Sequence, residues 1–157
     1  MNQYQKQDTI GLLAIVLFNH SPFFFLFAEI DTHNSQQLTK VLRFYQRNHL
    51  SVYYHKTVHG YHFFSPCLLK FRQWLRLTAM LRPTVKDYRF DCLRISYRYG
   101  DSSELEYCSW NKKHKESQDL HALLLDRFKI NDWSKIVKGQ STQLQFVEYK
   151  QLIRDSN

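Results

Sequence analysis

From Ile10 to Ile30 the chain is almost wholly apolar, and its one real interruption, Asn19-His20-Ser21-Pro22, falls at the centre. By hydropathy the stretch resembles a membrane span or a signal sequence. Polar turn-formers at mid-span would sit at the costliest depth of a bilayer. Two β-type runs joined by a tight turn put the same residues in water. Ile10 to Phe18 and Phe23 to Ile30 are therefore expected as a hairpin of the first two strands, with no membrane partner. The second run ends abruptly, with Phe23 to Ala28 giving way to Glu29-Ile30-Asp31. Side chains two apart in an extended chain share a face, so Glu29 and Asp31 are expected to project together. Two anions side by side repel unless a cation, a basic residue or a shared proton compensates. A divalent metal on hard oxygen ligands is the chemistry such a pair serves. The plain alternative is a strand that closes on acids as it re-enters water.

After this border the patterning alternates between periods. Asn34 or Ser35 can cap a helix that carries Leu38, Val41, Leu42 and Tyr45 on one face. Ser51 to Lys56 and Tyr61 to Ser65 read as strands around a Thr57–Gly60 turn. Ser65-Pro66 is a helix-start signal. The expected helix behind it holds Leu68, Phe71, Trp74 and Leu75 on one side, has a basic surface, and ends at Pro83. Tyr88 to Tyr99 is a long extended segment, turned by Gly100-Asp101 into Glu104 to Trp110. A helix from about Ser117 to Phe128, a short one from Asp132 to Lys138 and a strand near Leu144 to Tyr149 complete the chain.

From the second strand onward the order is strand, helix, strand, strand, helix, strand. That is the split βαβ arrangement of ferredoxin-like and RRM-like domains. The expected fold is α+β: an antiparallel sheet with helices on one face and the other face open, plus an N-terminal strand and a C-terminal α/β extension. At 157 residues the chain suits one domain, with a core over 22–100 and the extension over 101–157.

Charge and cysteine narrow the partners. Lys and Arg number 22 against 14 Asp and Glu, a formal excess of +8 that favours a polyanion such as nucleic acid or a nucleotide. Cys67, Cys92 and Cys108 form no Cys-x-x-Cys pair, which argues against a disulfide framework or a four-cysteine zinc site and suits a reducing cytoplasm. His55, His59 and His62 crowd together without partner cysteines, a weak pattern for structural zinc.

The acidic pair at a strand end, then Thr57-Val58-His59-Gly60-Tyr61-His62 on a hairpin, then an acid before Leu93-Arg94, resembles the archaeo-eukaryotic primase superfamily. Its catalytic domains, those of primase–polymerases included, are built around an RRM-like sheet. The resemblance covers roughly residues 22–100 in matching order. It implies metal binding by Glu29 and Asp31, with Glu29 where the family carries Asp. It implies nucleotide contact at Lys56, Thr57, Gly60 and His62, and a third metal-binding acid near Asp91, or at Asp87, with Arg94 on the triphosphate. Mg²⁺ or Mn²⁺, nucleoside triphosphates and a nucleic-acid template, DNA first, follow as expected partners. A helicase or other replication protein acting in trans, and a cytoplasmic or nucleoid-associated location, follow likewise. Strict pleating puts Asp91 on the apolar face with Leu93 and Ile95, opposite Arg94, so a ligand role there needs a bulge or a loop position.

Two other classes fit parts of the pattern. A catalytically inactive RRM-like module would stack bases on Tyr53, Tyr61 and Phe63 while Lys and Arg meet phosphates. A nicking or replication-initiation endonuclease, with a His-hydrophobic-His metal motif and a tyrosine nucleophile, is approached by His59, His62 and Tyr149. Its histidine spacing here is one residue too wide.

Overall fold

The structure is a computed structural model and describes residues 9–82, 92–96, 105–128 and 146–148. Each of the two expected N-terminal strands is broken once, giving β1 (Thr9–Leu13), β2 (Ile15–Phe18), β3 (Ser21–Phe24) and β4 (Phe27–Ile30). The two breaks face each other, because Phe25 N–H donates to the Ala14 carbonyl at 2.8 Å. Hydrophobicity says that a run is buried, not against which partner, and here the two halves enter different sheets. The β2–β3 hairpin turns on Asn19 and His20 at φ 50° and 66°, with Phe18 opposite Ser21. Positive φ at both central residues is the type I′ geometry that suits strand twist.

Helix α1 (Ser35–Arg47) begins as expected, with Asn34 Oδ1 accepting from Gln36 N at 2.8 Å and Gln37 N at 3.3 Å. Its buried face is Val41, Phe44 and Tyr45. It ends on His49 at φ 56°, with Leu50 N–H reaching back to the Tyr45 carbonyl at 2.9 Å. That is a helix stop of Schellman type built on a non-glycine residue. Strands β5 (Val52–Lys56) and β6 (Tyr61–Phe64) follow.

The second helix departs from expectation. It starts at Phe71, not at Ser65-Pro66, and α2 spans Phe71–Leu81. The intervening backbone is engaged elsewhere: Leu69 exchanges bonds of 2.7 and 2.9 Å with Phe24, and Leu68 N–H donates to Lys115 O at 2.8 Å. The face α2 buries is Leu77, Thr78 and Leu81, while Phe71 and Leu75 are exposed. Beyond it lie β7 (Cys92–Ser96), β8 (Glu106–Cys108), α3 (Gln118–Phe128) and β9 (Phe146–Glu148). Ser117 Oγ caps α3 by accepting from Leu120 N at 3.1 Å. The Asp132–Lys138 helix lies outside the described residues.

The result is an α+β fold with antiparallel sheets, compatible with a ferredoxin-like arrangement. The main sheet runs β4-β6-β5-β8, beside a β2–β3 sheet and a third of order β7-β1-β9. The fourth hydrogen-bonded strand of the main sheet is thus β8, at the β5 edge. β7 is paired over five residues with β1, from Leu13↔Cys92 to Thr9↔Ser96. It also passes alongside β4, within 8 Å between Cα atoms, which is where the split βαβ order places its last strand. Helices α1 and α2 cover one face of the main sheet through Ala28, Ile30, Val52 and Phe63. The opposite face is not open, as the sequence led one to expect. Phe27, Tyr53 and Phe64 are buried there beneath α3 and residues of β1 and β2.

Candidate functional site

Register decides which side chains meet. In the main sheet Glu29 of β4 stands opposite His62 of β6, and His62 stands opposite His55 of β5. Directly opposed residues share a face, so these three form one rung on the α3 side of the sheet. His62 Nε2 lies 3.0 Å from Glu29 Oε2, with the side chains 19% and 20% exposed, at a partly exposed lip of the sheet. In the neutral ring Nε2–H donates to the carboxylate, leaving Nδ1 as a bare acceptor. That atom is buried without a partner among the described residues.

His55 is the buried end of the rung, 6% exposed. Its ring stacks on Phe64, meets His62 edge to face at 5.3 Å between centroids, and touches Phe128 of α3 at 4.7 Å. Nδ1 contacts the Lys56 carbonyl at 3.2 Å, and Nε2 is buried with no partner among the described residues. Burial first, and the neighbouring His62 second, push its pKa from 6.5 down to about 3. His55 is therefore a neutral imidazole across the physiological range.

The hairpin residues do local work that their types explain. Thr57 Oγ1 accepts from Gly60 N at 3.0 Å, and Thr57 N–H donates to Gly60 O at 2.8 Å, closing the turn. A Cβ on Gly60 would fall 1.8 Å from Ile30 O, so the turn packs directly on the end of β4 and only glycine fits. His33 Nε2 lies 2.8 Å from Thr57 O and its ring meets Tyr61 edge to face, tying the hairpin tip to the chain beyond β4. Lys56 is exposed at the end of β5, and His59 is exposed within the turn.

Asp31 falls just past β4, in an exposed bend. Asp91 and Asp87 lie outside the described residues, as does Tyr149. Arg94 is placed by its backbone, opposite Gly11 in the β1–β7 ladder. The structure therefore brings Glu29, His62 and the Thr57–Gly60 turn to one end of the sheet. Glu29 and Asp31 are oxygen donors of the kind Mg²⁺ or Mn²⁺ takes. Among the described residues, however, no three of His, Cys, Asp and Glu stand together as a metal-holding group. These residues do not make a metal site by themselves, and no chemical step is assigned to one.

Sequence reasoning missed a second polar constellation, centred on a buried Glu116–His121 pair. Glu116 Oε1 lies 2.8 Å from His121 Nε2 and accepts from Tyr107 OH at 3.2 Å; Glu116 Oε2 accepts from Asn111 Nδ2 at 2.9 Å. His121 Nδ1 lies 2.7 Å from Tyr53 OH. Burial raises the Glu116 pKa, but the bonds from His121 and Asn111 outweigh it and hold the carboxyl below its ordinary value. With Glu116 2% exposed and His121 fully buried, no substrate reaches that pair. It fastens α3 and the 111–117 segment to the sheet. A glutamate next to the Ser117 cap and five residues before a helical histidine was its only local signal. The free thiol of Cys67 is similarly enclosed, and burial pushes it up to about 12, which makes it inert.

No family model, no curated protein and no solved structure matches the chain. Among the described residues no helix is long and apolar enough to cross a membrane.

Proposed function

We infer that this chain is a primase–polymerase-like nucleotidyltransferase domain that acts in nucleic-acid replication. One observation carries the reading: Glu29 and His62, the residues matched to the family's first and second elements, are direct cross-strand partners at 3.0 Å on the accessible lip of the sheet. The passage of β7 alongside β4 adds support, since the third element is expected just before that strand. Glu29 holds His62 Nε2–H and so fixes the ring's tautomer and direction. A nucleotide phosphate arriving at the lip competes with Glu29 for the same donor, because either oxyanion accepts a charge-assisted bond. Lys56, Thr57, Gly60 and Arg94 complete the proposed nucleotide contacts, with Asp31 and Asp91 as further acids. Mg²⁺ or Mn²⁺ comes with the resemblance, and the assay reads dependence on the ion directly. The proposed partners are a nucleic-acid template, DNA first, and a replication protein in trans.

The test is primer synthesis or extension on single-stranded DNA with Mg²⁺ or Mn²⁺. Activity is expected to fall at least a hundredfold in Glu29→Ala, Asp31→Ala and His62→Ala. Wild-type rates in the Glu29 and Asp31 variants would end the reading. A non-catalytic nucleic-acid-binding module is the second reading. The observation in its favour is that Glu29 already engages His62, with no three-ligand group among the described residues. It predicts salt-sensitive binding that neither substitution weakens, with no synthesis under any ion.

A further inference from the structure

A second surface, away from the Glu29–His62 pair, carries its own chemistry. In the β2–β3 hairpin Ile15 stands opposite Phe24, and Leu17 opposite Pro22, so these four share one face. Ile15 and Leu17 are exposed on it. Phe24 continues the apolar surface onto α2, with ring centroids 5.4 Å from Phe71 and 5.1 Å from Trp74. On α2, Phe71, Leu75 and Ala79 recur every fourth residue and line up on one stripe. Phe71 and Leu75 are each 52% exposed. Arg72 and Arg76 form the adjoining stripe, both exposed, and Phe71–Leu81 contains no acid. The surface is therefore a continuous apolar strip bordered along α2 by arginines, larger in kind than the scattered exposed aliphatics of an ordinary surface.

We propose that the strip of Ile15, Leu17, Phe24, Phe71 and Leu75, bordered by Arg72 and Arg76, is a docking surface for an acidic amphipathic segment of a partner protein. Charge complementarity selects that occupant. A second copy would bring arginines against arginines on a chain already at +8. Nucleic acid would satisfy the arginines but leave the aliphatic Ile15, Leu17 and Leu75 against nothing that stacks or buries them. A peptide has a further point of attachment. Among the described residues β2 is hydrogen-bonded on one edge only, to β3, and an extended segment can add to an edge strand. Apolar side chains of the segment fill the strip while its carboxylates pair with Arg72 and Arg76.

The test is to pan a random dodecapeptide library against the purified chain and measure the winners by fluorescence anisotropy. Circular dichroism checks that the variants fold. Enriched peptides are expected to combine Asp or Glu with Leu, Ile, Phe or Trp. They should bind wild type at least tenfold more tightly than Leu75→Asp. The Arg72→Glu/Arg76→Glu pair, exposed at both sites, should lose them and gain basic peptides instead. The proposal fails if the winners lack acids or ignore both variants. It also fails if no peptide is enriched while phosphatidylserine vesicles or single-stranded DNA bind in a way these variants abolish. Glu29 and His62 are untouched throughout, so this result and the synthesis assay fail separately.

Discussion

Lowering the pH from 7 to 5 should weaken the fold through His55, by an amount the structure sets. The folded-state pKa of His55 is lowered from 6.5 to about 3, so between those values the unfolded chain binds a proton that the folded chain refuses. Stability is then fully present above about pH 7 and declines as the pH falls through 6.5 towards 3. At pH 5 an ordinary histidine gains about 2 kcal/mol from protonation, against about 0.2 kcal/mol at pH 7. His55 alone therefore costs the folded state about 2 kcal/mol across that interval. The burial that causes this is specific: the ring is wedged between Phe64, His62 and Phe128, with no acceptor for a second N–H among the described residues. His55→Phe retains the stacking and removes the titration. Urea unfolding followed by tryptophan fluorescence at pH 7, 6 and 5 gives both stabilities by linear extrapolation. The wild type should lose about 2 kcal/mol more than the variant between pH 7 and pH 5. Equal losses, within about 0.5 kcal/mol, would refute the claim that His55 is buried neutral.

Three further outcomes follow from the same structure. Glu116→Ala strands the buried His121 donor and removes the acceptor of the part-buried Asn111 and Tyr107 donors, and should cost about 3 kcal/mol in thermal or urea unfolding. Because the Glu116 carboxyl is held below its ordinary value, its stabilisation is present above the unfolded pKa of about 4.5 and is lost as the pH falls through the folded one. A wild-type acid transition below that value, shallower in Glu116→Gln, checks the sign. Gly60→Ala should destabilise by about 2 kcal/mol or more, since the added Cβ meets backbone at Ile30 rather than a side chain that can move. A normal melting temperature would show that Gly60 is not packed as described. Conversely, His20→Gly and His49→Gly relieve positive φ at 66° and 56° and should each stabilise by about 0.5–1 kcal/mol in the same assay.

Much of the fold is legible along the chain because short-range signals carry it. Asn34 before the Leu38–Tyr45 face marks α1, Ser117 marks α3, and the Asn19–Pro22 turn separates two buried runs. What escaped was set by partners distant in sequence. Nothing within Pro66–Leu69 says that its backbone will bond to Phe24 and Lys115, so Ser65-Pro66 reads as a helix start that the tertiary structure overrides. The uncovered sheet face was likewise lost to α3, whose affinity for the sheet rests on the meeting of Tyr53, Tyr107, Asn111, Glu116 and His121 from β5, β8, the 111–117 segment and α3. At the candidate site, the split βαβ order led one to expect Glu29 and His62 on strands of one sheet. That they face each other depends on register, which the length of the Thr57–Gly60 turn and its seat on Ile30 determine.

The third sheet has a consequence for the order in which the protein is made. β1 lies between β7 and β9, with Ile10 opposite both Ile95 and Glu148. During synthesis the first of these strands leaves the ribosome long before either neighbour exists. It waits as an apolar segment with bare edges while the β2–β3 hairpin, α1 and the β5–β6 hairpin can already form from local contacts. Closure of that sheet is thus a late event. A chaperone holding the N-terminal segment, or a translational pause before residue 92, would act on this step and on little else.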